Sequence, residues 1–350
     1  MPHVISMSIA SPPDPPWLQG HGSTILMTAP DELLCAWFAG TAEGELDNKI
    51  WLARGTRCQD GWQFTTPEIM NERVDAHWNP VLGRSADGRI ALFYKVGRPI
   101  SRWSTWVRHS EDGHDWSRPS QLVPGDAGGR GPVKNPPIST PDGTWLAPAS
   151  VESPQTPGRP VVWDSFVDVS QDNGTSWQRS DVIPIDHRAF QGAGIIQPTL
   201  WIGRDGNIHA LMRSTAGFAW RSHSSDGGNT WSPAQPTTLP NNNSGLCALA
   251  HPDGTVFCAH NASGISWGPR NRLWLSASDD DGLTWERVCV IEELDGHETA
   301  LHGHDGGVVT TGHGELSYPT LIAVPDNTDH LLVSYTRERR EIAVAELDLG

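Results

Sequence analysis

Residues 170–177, SQDNGTSW, carry a short pattern, S-x-D-x-G-x-x-W, that the chain repeats. It returns as SSDGGNTW at 224–231 and as SDDDGLTW at 278–285, and a copy one residue shorter, SEDGHDW, stands at 110–116. Ser and Asp side chains bind nearby backbone N–H groups, and Gly readily adopts a positive φ, so each copy has the chemistry of a hairpin turn. The closing Trp can pack against the strand that follows. Each copy therefore predicts one β-hairpin.

The spacing of the copies predicts the size of a repeating unit. Their first serines are 60, 54 and 54 residues apart. Between them the chain has short strand-like segments bounded by turn residues, such as RIALFYKV at 89–96 and DHLLVSYT at 329–336. A unit of about 55 residues with several antiparallel strands is typical of a β-propeller blade. The 350 residues have room for about six of them, so we predict an all-β, six-bladed β-propeller.

The same pattern predicts how the ring is organised. We expect a single domain over residues 1–350, with residues 1–18 forming an irregular N-terminal arm. The strands near 23–27 and 342–347 are expected to share one blade, so that N- and C-terminal strands close the ring.

Composition excludes several other classes of protein. The 36 Gly and 28 Pro disfavour long helices, and no apolar run approaches the roughly 20 residues that cross a bilayer. A net charge of −16 without a basic block argues against nucleic acid and anionic membranes as partners. The N-terminal residues lack a signal-peptide pattern, which favours a cytoplasmic location. The 17 Trp suit either a repeated core position or a sugar-stacking site.

The repeats are similar to the Asp boxes, or BNR repeats, of the sialidase (neuraminidase) superfamily. The segments GHGSTI, AWFAGTAEG, HWNPVL, PVKNPPI, GIIQPTLW and SYP resemble its divergent BNR repeat-like branch. The resemblance implies a six-bladed propeller with a site at its axis. There, three arginines hold a carboxylate, a Tyr supported by a Glu acts as nucleophile, and an Asp protonates the leaving oxygen.

Four positions match the residues that the resemblance implies. Arg213 stands 16 residues after Gln197, across the turn at 205–206, and resembles the second arginine. Arg270 resembles the third, with Arg272 as the alternative. Tyr318 in ELSYPTLI resembles the nucleophile.

The fourth match is the acid. Asp47 in GELDNKIW resembles it, and the neighbouring Glu43 and Glu45 are the alternatives.

Two positions depart from the family pattern. His21 stands where the first arginine is expected, and Gln197 stands where the Glu base is expected. A Gln cannot accept the tyrosine proton, and an imidazole cannot hold a carboxylate with two parallel bonds. His21 could serve instead as acid, base or neutral donor. Glu338 or Glu341 could orient it and raise its pKa.

Further candidates come from residue types that suit an anionic sugar. Lysine is scarce, and Lys95 and Lys134 lie among apolar neighbours, so we expect them to face a ligand together with Asn135. Trp78 and Asn79 offer a stacking face and an amide for sugar hydroxyls.

We expect no metal and no cofactor. His297, His302 and His304 do not have the spacing of the zinc-protease helix motif. The five Cys show no C-x-x-C pairing, so neither a zinc ribbon nor a disulfide framework is indicated. No feature of the sequence indicates an oligomeric state.

These features favour an exo-acting glycoside hydrolase that removes a terminal acidic sugar, with Tyr318 as nucleophile or transition-state stabiliser. Two alternatives stay open. One is a polysaccharide lyase that acts on a uronate by β-elimination, using His21 or Tyr318. The other is a non-catalytic, sugar-binding propeller.

Overall fold

The computed structural model describes residues 1–71, 73–298, 301–302 and 308–350. They form an all-β structure in which six sheets, each built on four antiparallel strands, are arranged as the blades of a propeller. The predicted fold class is confirmed. A 3-10 helix spans Ile100–Arg102, and no helix of the described residues is long and apolar enough to cross a membrane.

The strands follow one another along the chain with these bounds: β1 His3–Ile9, β2 Gln19–Ala29, β3 Glu32–Gly40, β4 Lys49–Cys58, β5 Gly61–Phe64, β6 Glu68–Ile69, β7 His77–Arg84, β8 Ile90–Val96, β9 Ser104–Ser110, β10 Ser120–Gln121, β11 Ile138–Ser139, β12 Trp145–Glu152, β13 Trp163–Ser170, β14 Gln178–Arg179, β15 Ile195–Ile202, β16 Ile208–Ser214, β17 Phe218–Ser224, β18 Gln235–Pro240, β19 Cys247–Ala250, β20 Val256–Asn261, β21 Arg272–Ser278, β22 Glu286–Glu293, β23 Leu301–His302, β24 Val308–Val309, β25 Leu316–Val324, β26 Asn327–Arg337 and β27 Glu341–Asp348.

Consecutive strands pair within each blade. Blade 1 contains β2 to β5 with β6 added to β4, blade 2 contains β7 to β10, and blade 3 contains β11 to β14. Blade 4 contains β15 to β18, and blade 5 contains β19 to β22. Blade 6 combines β25, β26 and β27 with β1. The short strands β23 and β24 form a separate two-stranded sheet.

Blade 6 closes the ring, and it corrects two of the expectations above. Residues 3–9 were expected within an irregular arm, but they form β1, which pairs with β27 from His3 opposite Asp348 to Ile9 opposite Ala343. The closing strand is therefore β1, and the segment 23–27 belongs to β2 of blade 1. Because β1 pairs with the last strand, the two ends of the chain complete one sheet.

The repeated S-x-D-x-G-x-x-W segments form the predicted hairpin turns. Each lies between the third and fourth strands of blades 2 to 5. In the copy at 224–231, Ser224 Oγ accepts the Gly228 N–H at 2.9 Å, and Asp226 accepts the N–H groups of Asn229 and Thr230 at 3.1 and 2.9 Å. These bonds satisfy the turn backbone locally.

Most of the tryptophans with the lowest exposure pack in the core between blades. Trp37 and Trp145 are at most 1% exposed, and the repeat residue Trp177 packs on Trp145 with ring centroids 5.7 Å apart. For these residues the Trp excess reflects a core position.

The innermost part of each blade contains one residue with positive φ. Four of these residues lie within β2, β7, β15 and β25, where the strand register shifts. The other two lie four residues before the inner strands of blades 3 and 5. The six residues are Gly22, Asn79, Lys134, Gln197, Asn243 and Tyr318, with φ between 41° and 69°. A bulge of this kind bends the strand and redirects a side chain, and five of the six side chains are polar or aromatic.

Candidate active site

A cavity of about 590 Å³ lies where the six blades meet. All six blades contribute to its lining, which places it at the propeller axis. Glu43 comes from blade 1, Asn79 from blade 2, Glu152 from blade 3, Arg213 from blade 4, Arg270 from blade 5, and Tyr318 and Arg339 from blade 6. Its volume is in the usual range for a small-molecule site.

Tyr318 and Arg213 contact each other in this cavity. Arg213 Nη1 donates to the Tyr318 hydroxyl oxygen at 2.6 Å and to Gln197 Oε1 at 3.0 Å. Its Nε donates to Asn243 Oδ1 at 3.1 Å. The guanidinium is held by three neutral groups, and among the described residues it forms no ion pair with a carboxylate. Arg213 therefore keeps its positive charge available to an anionic ligand.

Two further arginines line the cavity and share one buried carboxylate. Arg270 Nη1 and Arg339 Nε donate to the two oxygens of Glu315 at 3.1 and 2.9 Å. Arg339 also pairs with Glu43 through its Nη1. Although burial alone would raise the pKa of Glu315, the charges of Arg339 and Arg270 hold it well below its usual value. Glu315 is therefore ionised, and it fixes both guanidinium groups at the cavity.

Arg339 and Glu315 are site residues that the sequence did not predict. The expected place of the first arginine is occupied by His21, but the β26–β27 hairpin brings Arg339 into the cavity from the other end of the chain. The sequence gives little indication that Arg339 is a site residue, because it lies within the charged run RERRE at 337–341. Such a run is typical of a solvated turn. Both Glu338 and Arg339 have positive φ.

His21 is buried beside the Tyr318 ring, with ring centroids 4.3 Å apart. Its Nδ1 contacts Thr336 Oγ1 at 2.9 Å, and its Nε2 is buried without a partner among the described residues. Burial and the nearby arginines, Arg339 foremost, lower the pKa of His21 well below 6.5. This is opposite to the expected direction, and the candidate partner Glu341 pairs with Arg337 at 2.9 Å instead.

Asp47 lies outside the lining of the cavity. Its Oδ2 accepts the Thr41 N–H at 3.0 Å and also contacts the Thr41 hydroxyl, and its side chain is exposed. Of the two alternatives to Asp47, Glu43 lines the cavity and Glu45 pairs with Arg98 at 3.3 Å.

Lys95 is enclosed by backbone instead of facing the cavity. Its Nζ donates to the carbonyls of Gly129, Arg130 and Gly131 at 2.9 to 3.3 Å and to Thr105 Oγ1 at 2.7 Å. Burial lowers its pKa to about 7. Lys95 thus anchors the loop that leads from blade 2 to blade 3.

Lys134 and Asn135 connect blades near the axis. Lys134 Nζ donates to Asn135 Oδ1 at 2.8 Å, to the Leu246 carbonyl at 2.7 Å and to the Pro319 carbonyl. Asn135 Nδ2 donates to the carbonyls of Gln197 and Pro198, both at 3.0 Å. Neither residue lines the cavity, so both are placed to hold blades 3 to 6 together.

Trp78 and Asn79 both line the cavity, as a pair from β7. Trp78 is 1% exposed and its indole N–H donates to the Gly97 carbonyl at 3.0 Å. Asn79 is 6% exposed, and its side chain has no hydrogen-bond partner among the described residues. Its amide therefore remains available to a ligand.

Glu152 is a lining carboxyl that the sequence analysis did not single out. It ends β12, opposite Trp163 of β13, and it forms no ion pair with a described residue. Burial raises its pKa to about 7, the Arg213 charge opposes this, and the Glu43 charge adds to it. Glu152 is distinguished by its position in the cavity lining and not by a sequence motif, so the sequence alone does not identify it.

One group of metal-ligand atoms lies elsewhere. Ligand atoms of Asp205, His209 and Asp281 lie within 4.8 Å of one another, and none of the three lines the cavity. His304, considered above as a metal ligand, lies outside the described residues.

Solved structures with the same fold include both uncharacterised and enzymatic proteins. A protein of unknown function from Dyadobacter fermentans has a TM-score of 0.73 at 16% identity, over 100% of this chain and 99% of that one. A Hadza microbial sialidase has a TM-score of 0.68 at 15% identity, over 95% and 66%. The Trypanosoma rangeli sialidase has a TM-score of 0.63 at 13% identity, over 94% of this chain and 54% of its own.

The chain therefore spans about half the length of the Trypanosoma enzyme, and at these identities the likeness concerns the fold. No curated protein matches the sequence. The model of the BNR repeat-like domain matches residues 31–331, which is most of the chain. Together with the six blades and their repeated hairpins, this match shows that the chain belongs to the BNR repeat-like domain family.

Proposed function

We propose that this protein is an exo-acting glycoside hydrolase that removes a terminal acidic sugar. The observation that carries the proposal is the contact between Arg213 and the Tyr318 hydroxyl in a cavity that Arg270 and Arg339 also line. The sialidase-like fold of the structural neighbours is consistent with this class of reaction.

The charges of the cavity favour an anionic sugar. Arg270 and Arg339 are partly neutralised by Glu315 and Glu43, whereas Arg213 has only neutral partners. A guanidinium fork binds a carboxylate through parallel hydrogen bonds. A sugar carboxylate beside Arg213 would therefore be held next to the Tyr318 oxygen.

Tyr318 would then act at the anomeric carbon. Because Arg213 donates to its oxygen, the phenolic hydrogen is free to be given to another group. Cleavage builds positive charge on the sugar ring, and the phenol oxygen would either stabilise that charge or bond to the anomeric carbon while its proton passes to solvent water. The amide of Asn79 would bind a sugar hydroxyl.

A product assay tests this function. Purified protein is incubated with sialosides, other α-keto acid glycosides and uronate oligosaccharides, and products are followed by mass and by near-ultraviolet absorbance. We expect a saturated monosaccharide from wild type and none from Tyr318→Phe. Tyr94→Phe, in the buried core of blade 2, is the matched control and should stay active.

Other outcomes would contradict the proposal. An unsaturated uronate would identify β-elimination instead of hydrolysis. Binding of the anionic sugars without any product, in wild type as in Tyr318→Phe, would identify a sugar-binding propeller.

A further inference from the structure

We infer that Glu152 is the acid–base residue of this site, giving a proton to the leaving oxygen and recovering one from water. The inference rests on the proposed function, because it names the proton donor of that reaction. In either role of Tyr318, the oxygen that leaves the anomeric carbon has to be protonated.

The first argument is the pairing of the carboxyl groups around the cavity. Glu43 pairs with Arg339, and Glu315 pairs with both Arg339 and Arg270. These two carboxylates are committed to guanidinium groups and would lose those contacts on protonation. Glu152 lines the cavity and forms no ion pair with a described residue. It can therefore gain or lose a proton without breaking an ion pair.

The second argument is the placement of Glu152 in the fold. It is the last residue of β12 and lies opposite Trp163 in the β12–β13 pair. Trp163 also lines the cavity, and the Arg213 guanidinium lies 5.6 Å from its ring. Glu152 thus belongs to the wall that borders the arginine bonded to Tyr318.

The electrostatic surroundings support the same role. Burial raises the pKa of Glu152 to about 7, Arg213 opposes the rise, and Glu43 adds to it. A group with this pKa is populated in both protonation states near neutral pH, as acid–base catalysis requires. Desolvation of a carboxyl group is a known cause of such a shift.

The other candidates for the proton donor are less suitable. Asp47 is exposed and bound to Thr41, outside the cavity lining. Gln197 carries an amide, which neither releases nor accepts a proton in this pH range.

The step balances with water as the co-substrate. The protonated Glu152 carboxyl gives its proton to the glycosidic oxygen as the bond from that oxygen to the anomeric carbon breaks, and the bonding electrons remain on the oxygen. Water then forms the new bond to the anomeric carbon and returns a proton to the Glu152 carboxylate. The sum is one glycoside and one water converted to two hydroxyl compounds.

The experiment compares leaving groups in Glu152→Gln. The exposed Glu286→Gln on β22 is the matched control. With an alkyl or sugar leaving group, which needs a proton, we expect kcat to fall by roughly 100-fold or more in Glu152→Gln. With a nitrophenolate leaving group, which departs unprotonated, we expect a much smaller loss. The pH–rate limb near 7 should also disappear.

Equal losses with both leaving groups, or an unchanged pH profile, would overturn the assignment. A wild-type protein that cleaves none of the substrates would overturn the proposed function itself. The two failures are told apart by infrared titration of the carboxyl C=O band. If Glu152 exchanges a proton near neutral pH, a band that titrates near pH 7 in wild type is missing from Glu152→Gln; if no such band exists, the acid–base assignment fails by itself.

Discussion

Glu315 is the residue that organises the charges around the site. It is 5% exposed and bonds Arg270, Arg339 and the Ser317 hydroxyl, the last at 2.5 Å. Without this carboxylate, the two buried guanidinium groups would repel each other, and each would lose a hydrogen-bond partner. The positive lining of the cavity is therefore stable only because a negative charge lies behind it.

Replacing this carboxylate should be costly. Glu315→Gln keeps the size of the side chain and removes its charge, so we expect a loss of about 3–5 kcal/mol in the free energy of unfolding. Because the folded-state pKa of Glu315 is lowered, its contribution is complete above the ordinary glutamate pKa and is lost as the pH falls. The difference in the free energy of unfolding between wild type and variant, measured with urea, should therefore be smaller at pH 4 than at pH 7. An equal difference at both pH values would contradict this account.

Some residues of the cavity could be predicted from the sequence, and others could not. Tyr318, Arg213 and Arg270 follow motifs that the resemblance supplied, and the structure brings all three to the cavity. Arg339 and Glu152 have no local motif. They reach the cavity only because blades from distant parts of the chain close into a ring.

Among the elements of the fold, the repeated hairpins are the easiest to predict from sequence, because their hydrogen bonds join residues close together in the chain. Asp226 accepts two backbone N–H groups and two hydroxyls, from Ser224 and Thr230 at 2.7 and 2.6 Å. These bonds, with the Thr230 hydroxyl foremost, lower its pKa to about 2. The shorter copy is less complete. Asp112 accepts the N–H groups of His114 and Asp115, and Ser110 supplies its hydroxyl bond.

This difference predicts unequal losses of stability. We expect Asp226→Ala to lower the Tm by a few degrees, and Asp112→Ala to lower it less, because fewer bonds are removed. Differential scanning calorimetry of both variants provides the measurement. A larger loss for Asp112→Ala would mean that these bonds do not determine the stability of the turn.

The inner-strand bulges explain why three candidate site residues stand in similar sequence motifs. Asn79, Gln197 and Tyr318 each precede a proline and each have positive φ. A side chain at such a position leaves the regular alternation of the strand. The motifs HWNPV, IIQPT and LSYPT thus mark one structural position in three blades, and in each case that side chain lines the cavity.

Closure by β1 is a property of the whole molecule, and its removal can be tested. Deleting residues 1–10 would leave β27 as an unpaired edge, which is a template for association between chains. We expect a lower Tm and concentration-dependent oligomers in size-exclusion chromatography. Deleting residues 1–2 alone, which precede β1, is the control and should change neither property. A stable monomer without residues 1–10 would show that β1 is dispensable for closure.

The number of blades could be predicted because the repeat spacing is a property of the sequence, whereas the closing strand could not. In β1 the side chains alternate, but Ile5, Met7 and Ile9 are the exposed ones, at 40–44%. The inward positions hold Val4, Ser6 and Ser8. A core strand is recognised by apolar residues on its buried face. In β1 the apolar residues are on the exposed face, so the segment was expected to form an irregular arm.

The position of Lys134 has a consequence for how the ring holds its shape. Its buried ammonium group joins carbonyls of blades 5 and 6 to Asn135 of blade 3. One side chain therefore fixes the spacing between blade 3 and two blades that come later in the chain. Arg270 and Tyr318, which reach the cavity from those two blades, are thus held in position before any ligand binds.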